Sequence, residues 1–193
     1  RTKYMLLFGV AEDHDSNPLK LGISKIRDRG GKLVVINPVR SGYGAVADEW
    51  LPVKPGTDGA LILSMIHVLL KNGLYDRAFL ISHTNASYLI QVDEGDENEG
   101  MLHLLPEWEM QETQSTVWDK KTNSIKEAHT KDVEPELVGV FKSPDGKTLK
   151  TGMQLMIERG MEDYSPEKAA HICGIAPEQI ERTRRMVRDL NRA

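Results

Sequence analysis

The stretch LVVINP (residues 33–38) is a continuous apolar run that stops at an asparagine and a proline. Four consecutive apolar residues without alternation are typical of a strand that is buried on both faces. A similar run, YMLLF at residues 4–8, is followed by Gly9. Between the two runs, Pro18 opens a segment with apolar residues at helical spacing, and a pair of glycines closes it. The pattern predicts a strand, a helix and a second strand.

The same alternation continues along the chain. A glycine-rich loop at residues 41–47 leads to a third, shorter strand at residues 50–53, and the turn at Pro55 and Gly56 leads to a long helix that Thr57 or Asp58 caps. A further short helix is predicted at residues 76–82. Buried strands that alternate with helices are typical of parallel sheets with right-handed crossovers. We therefore predict an α/β fold built on a parallel sheet.

The pattern changes between residues 85 and 160, where short strand-like pieces are separated by polar turns. The sequence SPDG at residues 143–146 is a strong hairpin-turn signal. Two C-terminal helices follow: the first starts at SPE (residues 165–167), and the second has an apolar stripe that begins at Ile180. We predict a single domain over residues 1–193, with residues 85–160 as a partly β-strand, irregular insertion.

The composition argues against several classes of protein. The chain carries 25 Lys+Arg and 29 Asp+Glu, a net charge of −4, and has no long basic run, so nucleic-acid binding is not expected. No apolar run approaches the roughly 20 residues that span a bilayer. The single cysteine, Cys173, is expected to be a buried structural thiol. The six histidines lack metal-ligand spacing, and the acidic stretch at residues 93–99 is predicted to be a solvated loop. No metal ligand is predicted.

The chain has no initiator methionine and ends inside a helical pattern. We expect it to be part of a longer polypeptide. Targeting signals would then lie elsewhere, which leaves the localisation open.

Polar loops follow the predicted parallel strands, and ligands bind at the carboxyl ends of strands in such sheets. In the first loop, residues 9–17, Gly9 permits a tight turn and the next helix directs its free amides into the loop, which suits a pyrophosphate. The second loop begins at Asn37, where dinucleotide folds place a polar group that meets a ribose or base. Arg40 and Ser41 could bind phosphate.

The third loop, residues 54–58, ends at Asp58, and two interpretations of this aspartate stay open. It is either a helix N-cap or a base-recognition residue. An ionised carboxylate accepts two hydrogen bonds, and guanine offers adjacent N1–H and N2–H donors. Hydrogen bonds to a charged group contribute about 1.5–3 kcal/mol.

Four segments occur in a fixed order: INPVRS (residues 36–41), ADEWLPVKPGTDGAL (residues 47–61), YDRAFL (residues 75–80) and SPEKAAHICGI (residues 165–175). Together they resemble the molybdopterin oxidoreductases of the dimethyl sulfoxide reductase family. In that family a strand ends in Asp/Asn-Pro-Arg, and Ala-Asp, a short apolar strand and Pro-Gly-Thr-Asp-x-Ala-Leu follow it. A later element reads Thr/Ser-Pro-Glu-x-Ala-Ala-x-Ile-x-Gly-Ile/Val. Residues 85–160 match the family only loosely.

The resemblance implies a Rossmann-like, three-layer domain that holds the guanosine half of one molybdopterin guanine dinucleotide in a bis-pterin molybdenum or tungsten enzyme. The first loop would line the pyrophosphate, the second would follow the nucleotide, and the third would hold guanine through Asp58. The implied cofactor-binding residues are Gly9, Val10, Asp13, Asn17, Asn37, Pro38, Arg40, Ser41, Gly56, Thr57 and Asp58.

The resemblance also implies what this segment lacks. The metal-coordinating residue, and the cysteines of any iron–sulfur cluster, would lie in other parts of the parent chain. No catalytic residue is therefore assigned, and the segment alone is expected to be inactive. The parent would be an oxidoreductase that transfers two electrons, or an oxygen atom with them. Its remaining polypeptide and electron-transfer subunits would be the partners, and the substrate stays open.

Two other classes of function are alternatives. One is the central cofactor domain of thiamine-diphosphate enzymes, or another Rossmann-like nucleotide binder, in which Asp58 would be only a cap. The other is a non-catalytic interaction module, in which residues 85–160 would form a docking hairpin.

Overall fold

The structure is a computed structural model that describes residues 2–10, 18–105 and 114–182. Its strands are β1 (Tyr4–Phe8), β2 (Lys32–Ile36), β3 (Glu49–Leu51), β4 (Leu89–Gln91), β5 (Thr116–Asp119), β6 (Ser124–Glu127), β7 (Val140–Lys142) and β8 (Thr148–Thr151). Its helices are α1 (Leu19–Arg27), α2 (Tyr43–Val46), α3 (Asp58–Lys71), α4 (Arg77–His83), α5 (Gly152–Asp163), α6 (Pro166–Cys173) and α7 (Pro177–Glu181).

Contacts between Cα atoms divide the chain into two compact units. Unit 1 consists of Arg1–Leu74 and Gly160–Ala193, and unit 2 of Tyr75–Arg159. The predicted α/β class is confirmed. The organisation as one domain with an insertion at residues 85–160 stays a prediction.

Unit 1 is built on a parallel sheet with the strand order β1-β2-β3. The apolar run of β2 is buried along its length and faces both sides of the sheet, because successive side chains of a strand point to opposite faces. Leu33 and Val35 pack with Ile23 of α1 on one face. Val34 and Ile36 pack on the other face, in a cluster that also contains Leu61, Val68, Ala169, Cys173, Ile175 and Ile180. Helices therefore cover both faces of the sheet.

Three details of the fold differ from the prediction. The loop at residues 41–47 contains the short helix α2, and α5, most of which belongs to unit 2, was not predicted. The third strand lies at Glu49–Leu51 and not at residues 50–53. It ends earlier because Pro52 has no amide hydrogen with which to continue the ladder. The predicted caps of α6 are confirmed: the Ser165 hydroxyl accepts from the Lys168 amide (3.3 Å), and Gly174 has a φ of 75°. The stripe predicted from Ile180 onward lies outside the described residues after residue 182.

Unit 2 contains an antiparallel sheet of β4, β8 and β7 and a hairpin of β5 and β6. The predicted turn at residues 143–146 is confirmed, since it connects β7 to β8. The carboxylate of Asp119, which is 3% exposed, accepts hydrogen bonds from the Thr122 hydroxyl (2.7 Å) and from the amides of Glu134 (3.0 Å) and Lys121 (3.2 Å). These bonds, that from Thr122 foremost, lower the pKa of Asp119 to about 2.

The acidic loop at residues 93–99 is largely exposed and is fixed to β8 at its first residue. The Asp93 carboxylate accepts hydrogen bonds from the hydroxyl and the amide of Thr148, both at 2.8 Å, and these bonds lower its pKa. Within the described ranges, no group of three potential metal ligands is found. Among the helices that the structure describes, none has the length and apolar character needed to cross a membrane.

Candidate functional site

The carboxyl ends of the three parallel strands form one row at an edge of the sheet. Phe8 is paired with Ile36, and Ile36 with Leu51, so the strands stop at the same level. The ladder continues for one residue: the Gly9 amide donates to Ile36 O (3.0 Å), and the Asn37 amide donates to Leu51 O (3.2 Å). The three predicted loops therefore leave the sheet side by side, as expected for a ligand site in a parallel sheet.

The first loop is described only at its start. Gly9 has a φ of 56°, in the left-handed region that favours glycine. The backbone conformation of the turn is therefore the reason for a glycine at this position. Val10 packs against the apolar cluster on the α1 face. The predicted residues Asp13 and Asn17 lie outside the described residues.

The second loop is held by its own hydrogen bonds. Asn37 Oδ1 accepts from the Val39 amide (3.2 Å), which tightens the chain around the exposed Pro38. Asn37 O accepts from Trp50 Nε1 (2.8 Å) on the neighbouring strand β3. The asparagine is thus fixed by both its side chain and its backbone, and its position relative to the sheet is set by Trp50.

Arg40 and Ser41 follow at the surface. The guanidinium carbon of Arg40 lies 6.0 Å from the centroid of the Trp50 ring, at the outer limit of a cation–π contact. The carbonyl oxygen of Ser41 accepts from the Gly44 amide (2.8 Å) at the start of α2. Trp50 therefore contacts two predicted site residues. This role of Trp50 could not be predicted from the sequence, because an apolar residue in a short strand indicates only the strand itself.

The third loop closes a tight turn before α3. The amide and the hydroxyl of Thr57 both donate to Lys54 O, at 3.2 and 2.7 Å, and Gly56 has a φ of 78°. Thr57 occupies the N-cap position, but its hydroxyl donates backward and makes no capping bond to the helix. Asp58 is the first residue of α3, so the interpretation of Asp58 as the N-cap is wrong.

Asp58 presents a carboxylate at this edge, a group that accepts hydrogen bonds. Asp58 is half-buried, and no described residue donates a hydrogen bond to its carboxylate. It lies at the first turn of α3, where backbone amides lack partners within the helix and the dipole favours negative charge.

The prediction that Cys173 is a buried structural thiol is confirmed: it is 0% exposed and unbridged within the core of unit 1.

The described edge thus brings together Gly9, Val10, Asn37, Pro38, Arg40, Ser41, Gly56, Thr57 and Asp58, all of which follow the ends of the parallel strands. It offers a carboxylate, a guanidinium, turn amides and a helix start. These are groups that bind a base and phosphates.

Comparison with known proteins identifies what the chain is similar to. The model of the molybdopterin oxidoreductase family matches residues 1–185. The chain is 43% identical over 187 residues to a sulfite dehydrogenase subunit of Allochromatium vinosum, an alignment that covers 94% of this chain and 19% of that protein. It is 30% identical over 210 residues to the alpha subunit of the perchlorate reductase of Dechloromonas aromatica, covering 93% of this chain and 23% of that protein.

A solved structure is similar in fold. Acetylene hydratase from Pelobacter acetylenicus superposes with a TM-score of 0.54 at 21% identity, over 96% of this chain and 16% of that chain. At this identity the likeness concerns the fold alone. The chain spans about a fifth of the length of the two curated relatives.

Proposed function

Because this chain belongs to the molybdopterin oxidoreductase family, we propose that its sheet edge holds the guanosine end of one molybdopterin guanine dinucleotide. When bound, the cofactor supplies the molybdenum or tungsten centre at which the parent enzyme exchanges two electrons, or an oxygen atom with them, with its substrate. The residues of this chain bind and orient the nucleotide. The observation that carries the proposal is the Asp58 carboxylate, which has no hydrogen-bond donor among the described residues and lies at the start of α3.

Guanine fits this carboxylate better than adenine does. The N1–H and N2–H groups of guanine are adjacent donors, and a carboxylate accepts both at once. Adenine presents an acceptor at N1, which a carboxylate would repel. Asp58 therefore selects guanine, and the turn of Gly56 and Thr57 fixes the carboxylate at the helix start.

The other two loops suit the ribose and phosphates. The Arg40 guanidinium is exposed, and its positive charge would neutralise a phosphate bound beside this loop. The second loop, which contains Arg40, also contains Asn37, Pro38 and Ser41. We propose that the first loop, with Gly9, Val10, Asp13 and Asn17, follows the pyrophosphate.

Titration calorimetry of the chain with nucleoside diphosphates tests the proposal. We expect GDP to bind more tightly than ADP, and inosine diphosphate, which lacks only the N2 amino group, to bind with intermediate affinity. Hydrogen bonds to a charged group contribute about 1.5–3 kcal/mol, so Asp58→Ala should weaken GDP binding roughly 10- to 150-fold. ADP affinity should not fall, because adenine gains nothing from the carboxylate.

The matched control is Glu94→Ala, which removes one exposed acid from unit 2. It should leave GDP affinity unchanged, which separates a contact of Asp58 from a change in net charge. Equal affinities for GDP and ADP, or a GDP affinity that Asp58→Ala does not alter, would contradict the proposal.

We further propose that the parent protein is a molybdopterin-dependent oxidoreductase that works with electron-transfer subunits. The two curated relatives are named as subunits, one of a sulfite dehydrogenase and one of a perchlorate reductase. Metal analysis of the full-length protein, together with release of GMP from its cofactor by mild acid, tests this proposal. A preparation active on its substrate without molybdenum, tungsten or guanine nucleotide would refute it.

A further inference from the structure

The guanine loop is tied to the carboxyl end of a distant helix. The Lys54 amide donates to Cys173 O (3.0 Å), and Lys54 Nζ donates to His171 O (3.4 Å). Both carbonyls belong to the last turn of α6, where carbonyl groups lack partners within the helix and the dipole favours a cation. A residue of the loop thus satisfies the end of α6 with its backbone and with its side chain.

The helix end presents a glycine to the same lysine. Gly174 has a φ of 75°, and a Cβ at this position would lie 3.1 Å from Lys54 Cε, 3.3 Å from Cγ and 3.6 Å from Cδ. The stem of Lys54 therefore crosses the face of Gly174 in contact. A side chain at residue 174 would have to adopt an unfavourable backbone conformation and would also displace the lysine.

The residues next to Lys54 and Gly174 lie in the core, so a displacement at one side of this contact displaces the other side. Val53, directly before Lys54, is 1% exposed, and Cys173 and Ile175, on either side of Gly174, are 0% exposed. Close-packed residues of this kind cannot shift independently.

On the loop side, Lys54 continues the connection toward the guanine site. Lys54 O accepts both the amide and the hydroxyl of Thr57. Thr57 is the N-cap of α3 and immediately precedes Asp58. A displacement of Lys54 would thus move the turn that places the Asp58 carboxylate.

We infer that Lys54 and Gly174 are positioning residues of the nucleotide site, through which the end of α6 sets the location of Asp58. The inference rests on the proposed function, since it assigns Asp58 to guanine. It gives the second half of the SPEKAAHICGI segment a role at a site that this segment does not itself form. A misplacement near 1 Å in a preorganised site costs on the order of 10-fold or more.

Three variants test the inference: Gly174→Ala, Lys54→Met and the control Gly146→Ala. Lys54→Met keeps the stem and the amide but removes the ammonium group. Gly146 has a φ of 87° with open space around it, so its replacement imposes a similar backbone strain within unit 2. Lys54→Arg restores the charge and serves as the rescue variant.

The readouts are GDP affinity, the ratio of GDP to inosine diphosphate affinity, and hydrogen exchange of the Thr57 amide. We expect Gly174→Ala to weaken GDP binding about 10-fold and to move the affinity ratio toward one, since a displaced carboxylate loses its second hydrogen bond. Lys54→Met should do the same to a smaller extent, Lys54→Arg should recover part of the loss, and Gly146→Ala should change neither. A loss of stability alone would lower the binding-competent fraction without altering the ratio.

The outcomes separate this inference from the proposed function. If the unaltered chain binds GDP through Asp58 but Gly174→Ala and Lys54→Met bind equally well, the positioning role is wrong and the function stands. If the unaltered chain binds no GDP, the function fails, and exchange at Thr57 decides the positioning: faster exchange in Gly174→Ala and Lys54→Met, but not in Gly146→Ala, supports it. Unchanged exchange overturns it. Lys54 is exposed, so Lys54→Met gives an answer even if Gly174→Ala fails to fold.

Discussion

Asp48→Ala should destabilise unit 1 without touching the nucleotide site. Asp48 comes just before β3, and its carboxylate Oδ2 accepts a hydrogen bond from the Leu33 amide at 2.8 Å. In return, the Asp48 amide donates to Leu33 O at 2.9 Å. The carboxylate thus supplies the acceptor that a neighbouring strand would otherwise offer to the Leu33 amide. Asp58, which follows the other end of β3, accepts no hydrogen bond from a described residue.

The size of the effect follows from the amide that is left behind. Leu33 is 1% exposed, so loss of the carboxylate leaves a buried N–H without an acceptor, a change that costs about 1–3 kcal/mol. Asp48 itself lies at the surface, so water can partly take its place. We therefore expect the lower half of this range for Asp48→Ala. Asp48→Asn should cost less, because an amide oxygen can still accept the bond.

Native-state hydrogen exchange is the appropriate assay, because a chain with two compact units need not unfold in a single step. Asp48→Asn should lower the opening free energy of the β2 amides, above all that of Leu33, and Asp48→Ala should lower it further. Asp58→Ala should stay within about 0.5 kcal/mol of the unaltered chain, because no described residue donates a hydrogen bond to the Asp58 carboxylate. The reasoning is refuted if Asp48→Ala also stays within that margin, or if Asp58→Ala destabilises β2 equally.

Three further predictions concern other parts of the chain. Gly31→Ala should destabilise unit 1 by about 1–3 kcal/mol, because the new Cβ would lie 2.5 Å from the Ile26 methyl group and 2.9 Å from the Ile26 carbonyl oxygen. Urea titration measures this loss, and an unchanged unfolding midpoint would contradict the prediction. The Asp119 carboxyl, whose pKa is lowered to about 2 by hydroxyl and amide hydrogen bonds, should stabilise unit 2 above pH 4 and lose that contribution as the pH falls toward 2. The stability difference from Asp119→Asn should shrink over this window, and a constant difference would exclude the mechanism. Trp50→Phe removes the donor to Asn37 O, so it should lower the free energy of unfolding by about 0.5–1.5 kcal/mol and speed amide hydrogen exchange in the second loop. Unchanged exchange would show that this hydrogen bond does not hold the loop.

The parallel part of the fold could be predicted because its strands are continuous apolar runs. Such a run at residues 33–36 is buried on both faces and needs no information from elsewhere in the chain. The strands of unit 2 lack this signal. β8, with the sequence TLKT, buries one apolar side chain, Leu149, and a polar one, Thr151. Its position depends on the Asp93 carboxylate, which bonds Thr148 from a distance of 55 residues in the chain.

The sequence contains a signal for the start of α5, but this signal is weak. The Thr151 hydroxyl accepts a hydrogen bond from the Gln154 amide (3.1 Å), the bond that an N-cap threonine makes. Gly152 follows at once, and a glycine lowers helix propensity by about 1 kcal/mol relative to alanine. A strand that ends directly in a helix also leaves no turn residues to mark the boundary.

At the candidate site, the residues at the strand ends could be predicted because a parallel sheet collects them at one edge. The contacts that fix them could not. Trp50 donates to Asn37 O from the neighbouring strand β3, and Lys54 contacts the end of α6, 117 residues away in the sequence. Neither contact follows from periodicity, because one depends on how β3 pairs with β2 and the other on how α6 packs against the sheet.

The two aspartates around β3 show why residue type alone does not assign a role. Both belong to one motif segment, ADEWLPVKPGTDGAL, and each could be a ligand for a nucleotide or a structural acceptor. Their partners separate them, because the Leu33 amide donates to the carboxylate of Asp48, whereas no described residue donates to that of Asp58. Loss of GDP binding in an Asp48 variant would therefore follow its loss of stability, and an excluded osmolyte that restores the fold should restore the binding. The same osmolyte should leave the weakened GDP binding of an Asp58 variant unchanged, because the fold of that variant is intact.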